Sequence, residues 1–213
     1  LGAAANAAAA LDCALSLGEA RRRPLELVSF EVDLAPLRLA VADPEGFPFL
    51  VPFHAAVRAL METGRWEGEG ITWTLLQGDF ARRLEEASGP AHLVFFDPFS
   101  PRQCPELWAP AMLRRLRERC ETEGEGALVV TYSAATPTRT SFLLGGFYVG
   151  AGVSIGTKAE TTVASTRPES LERPLGPEWL GRWRRSTSQA PHGEALRPEL
   201  EGLLAQHPQL RGG

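Results

Sequence analysis

Apolar positions along the chain alternate between a helical rhythm and short, nearly continuous runs. Residues 3–17 are alanine-rich and proline-free, which predicts a buried helix whose small side chains pack closely on a sheet. Residues 25–32, LELVSFEV, then predict a strand ending at Glu31 and Asp33. A helix follows over 50–63, with Pro52 near its start, Gly64 at its stop, and Val57, Leu60 and Met61 on one face. The beat repeats with a strand at 71–76, a helix at 80–87, a strand at 91–96 and an arginine-rich amphipathic helix at 109–121. Next come a strand at 127–133 and a helix at 136–144 stopped by Gly145-Gly146. Two further strand-like runs, 147–155 and 161–165, are joined by a turn around 156–160.

Strands alternating with helices imply an α/β domain with a mainly parallel sheet, and right-handed crossovers place helices on both faces. The last two strands add an antiparallel hairpin at one edge. We expect this domain to span residues 1–166. From 167 to 213 the chain turns rich in proline and arginine, with short helices at 177–185 and 197–206. That segment reads as a tail packed on the domain. No internal repeat is visible.

Composition narrows the class. A chain of 213 residues with 44% hydrophobic content can bury a single-domain core. Its formal net charge of -4 lacks the basic surplus that captures nucleic acid by charge alone. Cys13, Cys104 and Cys120 are odd in number and lack metal-ligand spacing, so we expect no metal and a reducing cytoplasm. The apolar opening has its arginines, Arg21 to Arg23, on the wrong side for a secretion signal, and no run reaches membrane length. The chain opens on Leu1-Gly2 without a methionine, as if midway through a strand-to-loop transition, and we expect residues upstream.

Three acids stand at predicted strand ends: Glu31, Asp79 and Asp97. In open α/β sheets ligands bind outside those ends. Gly2, with Ala3, Ala4, Ala5 and Asn6 behind it, forms either a small-residue turn that lets a ligand approach the backbone or simply the start of a packing helix. Glu31 suits the hydroxyls of a ribose, or is a solvated acid. Asp79, after Gly78, suits an exocyclic amino group such as adenine's, and equally an N-cap for the helix at Phe80; the two roles are compatible. Asp97-Pro98-Phe99-Ser100 stiffens a carboxylate beside an aromatic ring, which suits an amine on a planar base; the alternative is a turn closed on its own backbone. His54, Cys104, Trp66, Trp73 and Trp108 read as ordinary packing or surface residues. Arg114, Arg115, Arg117 and Arg119 read as a solvated face or a phosphate contact.

The loop at Asp97 resembles the Asp-Pro-Pro-Tyr type loop of enzymes that methylate amine nitrogens, with Phe99 in place of the second proline. Taken together, the pieces resemble a Rossmann-like class I methyltransferase dependent on S-adenosylmethionine. More narrowly, FDPFSP at 96–101 with PELW at 105–108 is similar to the Asp-x-Phe-[Ala/Ser]-Pro and Asn-Pro-[Glu/Asp]-[Leu/Met]-Trp signature of the MnmC-like methyltransferases. VSFEVD, LLQGDF and the run from VTYS to TVAS match further sections of that family in order. The resemblance covers most of residues 1–165 and implies methylation of the aminomethyl group on a tRNA wobble uridine, with S-adenosylmethionine as cofactor and tRNA as partner. It implies Gly2 and Asn6 in the cofactor loop, Glu31 at the ribose, Asp79 at the adenine, Asp97 facing the amine, Phe99 beside the base, and Lys158 on a basic turn near the substrate. No flavin-dependent half follows, which implies the stand-alone form. This chain departs from the family at Ala4, where a glycine is expected, at Thr157 and Ala159, which replace arginines, and at Cys104, which replaces asparagine. The alternatives are a methyltransferase acting on a small amine, or a non-catalytic module binding cofactor or RNA. An aminopropyltransferase lacks its acidic pair here.

Overall fold

A computed structural model describes residues 1–17, 23–153 and 160–211. They fall into two compact units, Leu1–Ser88 and Gly89–Gly213. Lys158 and the turn expected around 156–160, apart from Glu160, lie outside the described residues.

The first unit is a three-stranded mixed sheet. Strand β1 (Leu25–Glu31) runs parallel to β3 (Ile71–Gln77), in register from Leu25 opposite Ile71 to Glu31 opposite Gln77. Strand β2 (Arg65–Gly68) pairs antiparallel with β3. Its hairpin has only Glu69 and Gly70 in the loop, both at positive φ (54° and 75°), as a two-residue turn that follows the strand twist requires. The unit's helices are α1 (Ala5–Ser16), α2 (Ala35–Ala42), α3 (His54–Thr63) and the short α4 (Phe80–Arg83). Ala7, Ala8 and Leu11 of α1 meet Leu37, Ala40, Leu50, Val57, Leu60 and Trp73 in one buried cluster. Trp73 is fully buried, and its indole N–H donates to Ser29 Oγ at 3.0 Å across the parallel pair.

Two elements of this unit depart from the sequence pattern. The helix expected over 50–63 begins only at His54, because Pro48 and Pro52 hold Pro48–Phe53 in tighter 3-10 turns. Helix α2 is an addition, and its signal was local: Asp33 Oδ1 accepts the Ala35 N–H at 2.8 Å, and Pro36 sits in the first turn.

The second unit holds a four-stranded mixed sheet in the order β4-β5-β7-β6. Strand β4 (Leu93–Phe95) is parallel to β5 (Leu128–Thr131); β7 (Thr162–Ser165) runs antiparallel to both β5 and β6 (Tyr148–Ala151). The expected C-terminal hairpin is present. The ladders give two mixed α/β sheets where the sequence pattern predicted one mainly parallel sheet, because the β2–β3 and β6–β7 hairpins each bring antiparallel neighbours. This arrangement is consistent with a Rossmann-like fold. Helices α5 (Pro110–Glu118), α6 (Thr136–Leu144), α7 (Glu178–Arg185) and α8 (Leu200–Ala205) complete the unit. The C-terminal segment supplies buried side chains to it, including Leu175, Trp179, Trp183, Leu204 and Leu210. Gln209 ties that segment to the sheet: its Oε1 accepts the Val149 N–H at 2.7 Å and its Nε2 donates to the Leu175 carbonyl at 2.9 Å.

Trp73→Phe keeps the apolar bulk but leaves the Ser29 hydroxyl without its donor. The expected loss is about 1–2 kcal/mol, read as a lower urea midpoint with an unchanged slope.

Candidate active site

Two sets of residues carry the chemistry, one in each unit. In the first, the parallel pairing of β1 and β3 brings two acidic strand ends to the same sheet edge. Glu31 and Gln77 are register partners, and the Gly78 N–H donates to the Glu31 carbonyl at 2.8 Å. Asp79 follows immediately. Its carboxylate accepts the Arg82 N–H at 3.0 Å, so its expected capping role is present in the structure.

Glu31 does more than end a strand. Its Oε1 accepts the Val32 and Asp33 N–H groups at 2.9 and 3.1 Å, and its Oε2 accepts the Gly2 N–H at 2.9 Å. The side chain is 11% exposed. Burial alone pushes its pKa up, but hydrogen bonds led by the Gly2 and Asp33 N–H groups work against it, and the carboxyl lies below the usual glutamate range. The carboxylate therefore pins the turn that enters α1. That turn uses Gly2 at φ 55° and Ala4 at φ 60°. A Cβ on Gly2 would meet nothing within 4 Å, so open space lies in front of this backbone. Ala4 takes the left-handed conformation despite its side chain, a cost of about 1 kcal/mol. Asn6 lies exposed in the first turn of α1.

These features suit an adenosyl cofactor: an anionic acceptor at a strand end, a second acid on the neighbouring strand, and an unobstructed glycine. Three of the four acceptor positions of Glu31 already hold backbone N–H groups, so a ribose hydroxyl would share this carboxylate with the turn.

In the second unit the ladder continues past β4 through the Phe96 N–H to the Val130 carbonyl at 2.8 Å. Continuing that register sets Asp97 level with Tyr132, the residue after β5. Burial first, and then the Asp97 carboxylate, push the Tyr132 phenol above its ordinary pKa. Tyr132 thus joins the candidate set; like the three acids, it stands at or just beyond the carboxyl end of a strand. Asp97 is exposed, and the Phe99 ring beyond Pro98 is 59% exposed. The loop's backbone is nevertheless held. Trp108, fully buried, donates its indole N–H to the Phe99 carbonyl at 2.9 Å, and Phe96, Tyr132 and His192 pack edge-on to it with centroids 5.1, 6.2 and 6.0 Å away. The packing role expected for Trp108 is present, and it acts directly on the loop. Cys104 is partly exposed, whereas burial raises the Cys120 thiol to about 12 against the opposing Arg117 charge, so Cys120 is an inert core residue. Among the described residues no cluster of His, Cys, Asp or Glu suits a metal, and no helix is long and apolar enough to cross a membrane.

Glu31→Gln tests the carboxylate in the free protein. A carboxyl with a lowered folded-state pKa stabilises the fold above the ordinary glutamate range and loses that contribution as pH falls through its own lower pKa. Urea denaturation should show wild type more stable than Glu31→Gln at neutral pH, with the gap closing on acidification. A gap independent of pH would overturn the charge argument.

Comparison with known proteins converges on the same chemistry. Residues 51–167, more than half of the chain, match the sequence-family model described as S-adenosyl-L-methionine-dependent methyltransferase. The stretch includes Asp79, Asp97, Phe99 and Tyr132. The tRNA 5-methylaminomethyl-2-thiouridine biosynthesis bifunctional protein MnmC of Ralstonia nicotianae is 32% identical over 146 residues, covering 66% of this chain and 21% of that protein. Its counterpart in Hahella chejuensis is 32% identical over 110 residues, covering 52% and 17%. This chain thus spans about a fifth of the length of these curated relatives. The crystal structure of MNMC2 from Aquifex aeolicus superposes with a TM-score of 0.59 at 26% identity, covering 87% of this chain and 68% of that one. The protein belongs to the S-adenosyl-L-methionine-dependent methyltransferase family, and S-adenosyl-L-methionine is its cofactor.

Proposed function

We propose that the chain methylates an amine nitrogen, and that the acceptor is the aminomethyl group of a tRNA wobble uridine. The observation that carries the reading is the Asp97 loop: a carboxylate at a parallel strand end, two residues before a carbonyl fixed by the buried Trp108. The acceptor class is supported by the names of the MnmC relatives and of the Aquifex aeolicus neighbour.

On this reading Gly2, Asn6, Glu31 and Asp79 hold the cofactor, which supplies an electrophilic methyl group carried on a sulfonium. Asp97 orients the amine through its N–H groups and takes up its proton as the nitrogen–carbon bond forms. An amine held protonated has no lone pair to attack with. Tyr132 stands near enough for the Asp97 carboxylate, after burial, to raise its phenol's pKa, and so contributes a polar group beside that carboxylate. Phe99 offers an exposed ring for stacking on the base. Lys158, outside the described residues, is the proposed contact to the RNA. The methyltransferase domain is taken to run over residues 1–166 with 167–213 as its C-terminal segment, working in the cytoplasm. Alignment of nitrogen, methyl and sulfur supplies most of the rate, so the side chains act chiefly by positioning.

Two measurements decide between the readings. Asp97→Ala should reduce methyl transfer on the order of 100-fold or more while calorimetric binding of S-adenosylmethionine is kept; full activity in this variant would remove Asp97 from the mechanism. Side-by-side assays with undermodified tRNA and with small primary and secondary amines should show transfer to the tRNA. Transfer to small amines alone would move the acceptor class to small molecules, consistent with the net charge of -4.

A further inference from the structure

The C-terminal segment reaches the Asp97 loop through two adjacent residues, His192 and Gly193, that the family-level chemistry leaves without a role. His192 is held from three sides. Its backbone N–H donates to Ser141 Oγ at 2.9 Å, its ring Nε2 lies 3.0 Å from Thr138 Oγ1, and its ring packs edge-on against Trp108. Thr138 Oγ1 is in turn 2.9 Å from Ser133 Oγ, on the residue after Tyr132. The imidazole therefore bridges the N-terminal turn of α6 and the indole that holds the Phe99 carbonyl.

Gly193 closes the other side. It has φ 72°, and a Cβ built on it would stand 3.2 Å from both the Pro105 carbonyl oxygen and Ala109 Cβ. The backbone here lies directly against the 3-10 turn Pro105–Trp108 that carries the indole. A side chain would push on that turn and would also have to adopt a left-handed conformation.

We infer that His192 and Gly193 form a positioning clasp: they fix the Trp108 indole, and through its bond to the Phe99 carbonyl they set where Asp97 presents its carboxylate to the acceptor amine. The physical link is short. An indole has one donor, here spent on Phe99, so any rotation of the ring moves or breaks that bond. Phe96 and Tyr132 pack on the ring from the strand ends, and His192 supplies its contact from the C-terminal segment. The contacts of both residues run to Trp108, its turn and α6, and on this inference both act through Trp108. A misplacement of about 1 Å at a reacting group can cost on the order of 100-fold in rate, which makes such a support kinetically visible.

The inference rests on Asp97 facing the acceptor, and the test separates the two. His192→Ala, His192→Gln and Gly193→Ala are compared with wild type for acceptor KM and kcat, for calorimetric affinity toward S-adenosylmethionine, and for hydrogen exchange over residues 97–108. His192→Ala should lower kcat/KM for the acceptor on the order of tenfold with cofactor affinity unchanged, and should speed exchange in 97–108. His192→Gln can still reach Thr138 and should recover part of the loss. Gly193→Ala should give the same kinetic signature without removing any hydrogen bond. A drop in thermal midpoint with unchanged kinetics and unchanged exchange in 97–108 would overturn the clasp and leave only a packing role. If wild type transfers no methyl to any amine, the functional reading fails, while exchange over 97–108 still decides whether the clasp holds the loop.

Discussion

The indole N–H of Trp108 and the carbonyl of Phe99 form the bond around which the second unit's chemistry is organised. A buried indole must place its single donor, and here the acceptor is a main-chain carbonyl in a loop that is otherwise open to solvent. Breaking the bond would strand a donor inside the aromatic cluster of Phe96, Tyr132, Phe142 and His192. The cluster thus stabilises the loop geometry indirectly: its packing fixes the ring, and the ring fixes the carbonyl. Proline at 98 narrows the backbone choices further, so Asp97 stays exposed without being free to wander.

The first unit solves a similar problem with charge. Glu31 gathers N–H groups from Gly2, Val32 and Asp33, and so joins the end of β1 to the turn before α1. The two solutions differ because the loops differ. The Asp97 loop has an aromatic core behind it and can be held by a neutral donor. Between Leu1 and α1 the Gly2 turn carries only glycine and alanines, with little bulk to pack, and contains the strained Ala4; three backbone N–H groups converging on one carboxylate help to hold it. Both devices sit where parallel strands end, which leaves main-chain donors and acidic side chains at one edge of each sheet.

Much of this was legible in the sequence because its signals are local. Helix α6 falls on the expected residues, since Pro137 at its start and Gly145-Gly146 at its end punctuate it from within the segment. The strand ends at Glu31, Asp79 and Asp97 were legible for the same reason: each acid closes or shortly follows a strand-like run, LELVSF, ITWTLLQ or LVFF. Strand β2 was missed because Glu69-Gly70 is a weaker turn signal than Asn-Gly, and because Arg-Trp-Glu-Gly contains only one large apolar residue. Tyr132 was missed because the expected strand ran on to 133 and placed it inside the run, whereas β5 ends at Thr131; His192 was missed for a different reason. His192 lies 54 residues from Thr138, its hydrogen-bond partner, and no window of periodicity spans that distance. Gly193 carried no signal of its own in the sequence; its positive φ and the Pro105 carbonyl and Ala109 Cβ beside it explain its lack of a side chain.

The charge distribution bears on how an acceptor is selected. Several arginines are already committed to acids: Arg65 to Glu67, Arg83 to Glu86, Arg139 to Glu160, Arg184 to Glu201 and Arg197 to Glu194. Most of these pairs are exposed and add little stability, but each reduces the positive field that a polyanion would meet. Arg139 is a stronger case: it is 3% exposed, bonded also to Thr162 Oγ1 and the Thr161 carbonyl, and so belongs to the interior of the β7 hairpin. A chain with net charge -4 and its cations so deployed gains little from long-range attraction of nucleic acid. On the proposed reading, discrimination then falls to short-range fit at the loop of Asp97 and Phe99. The rigidity supplied by Trp108 would therefore matter for choosing the acceptor as well as for the rate of its methylation.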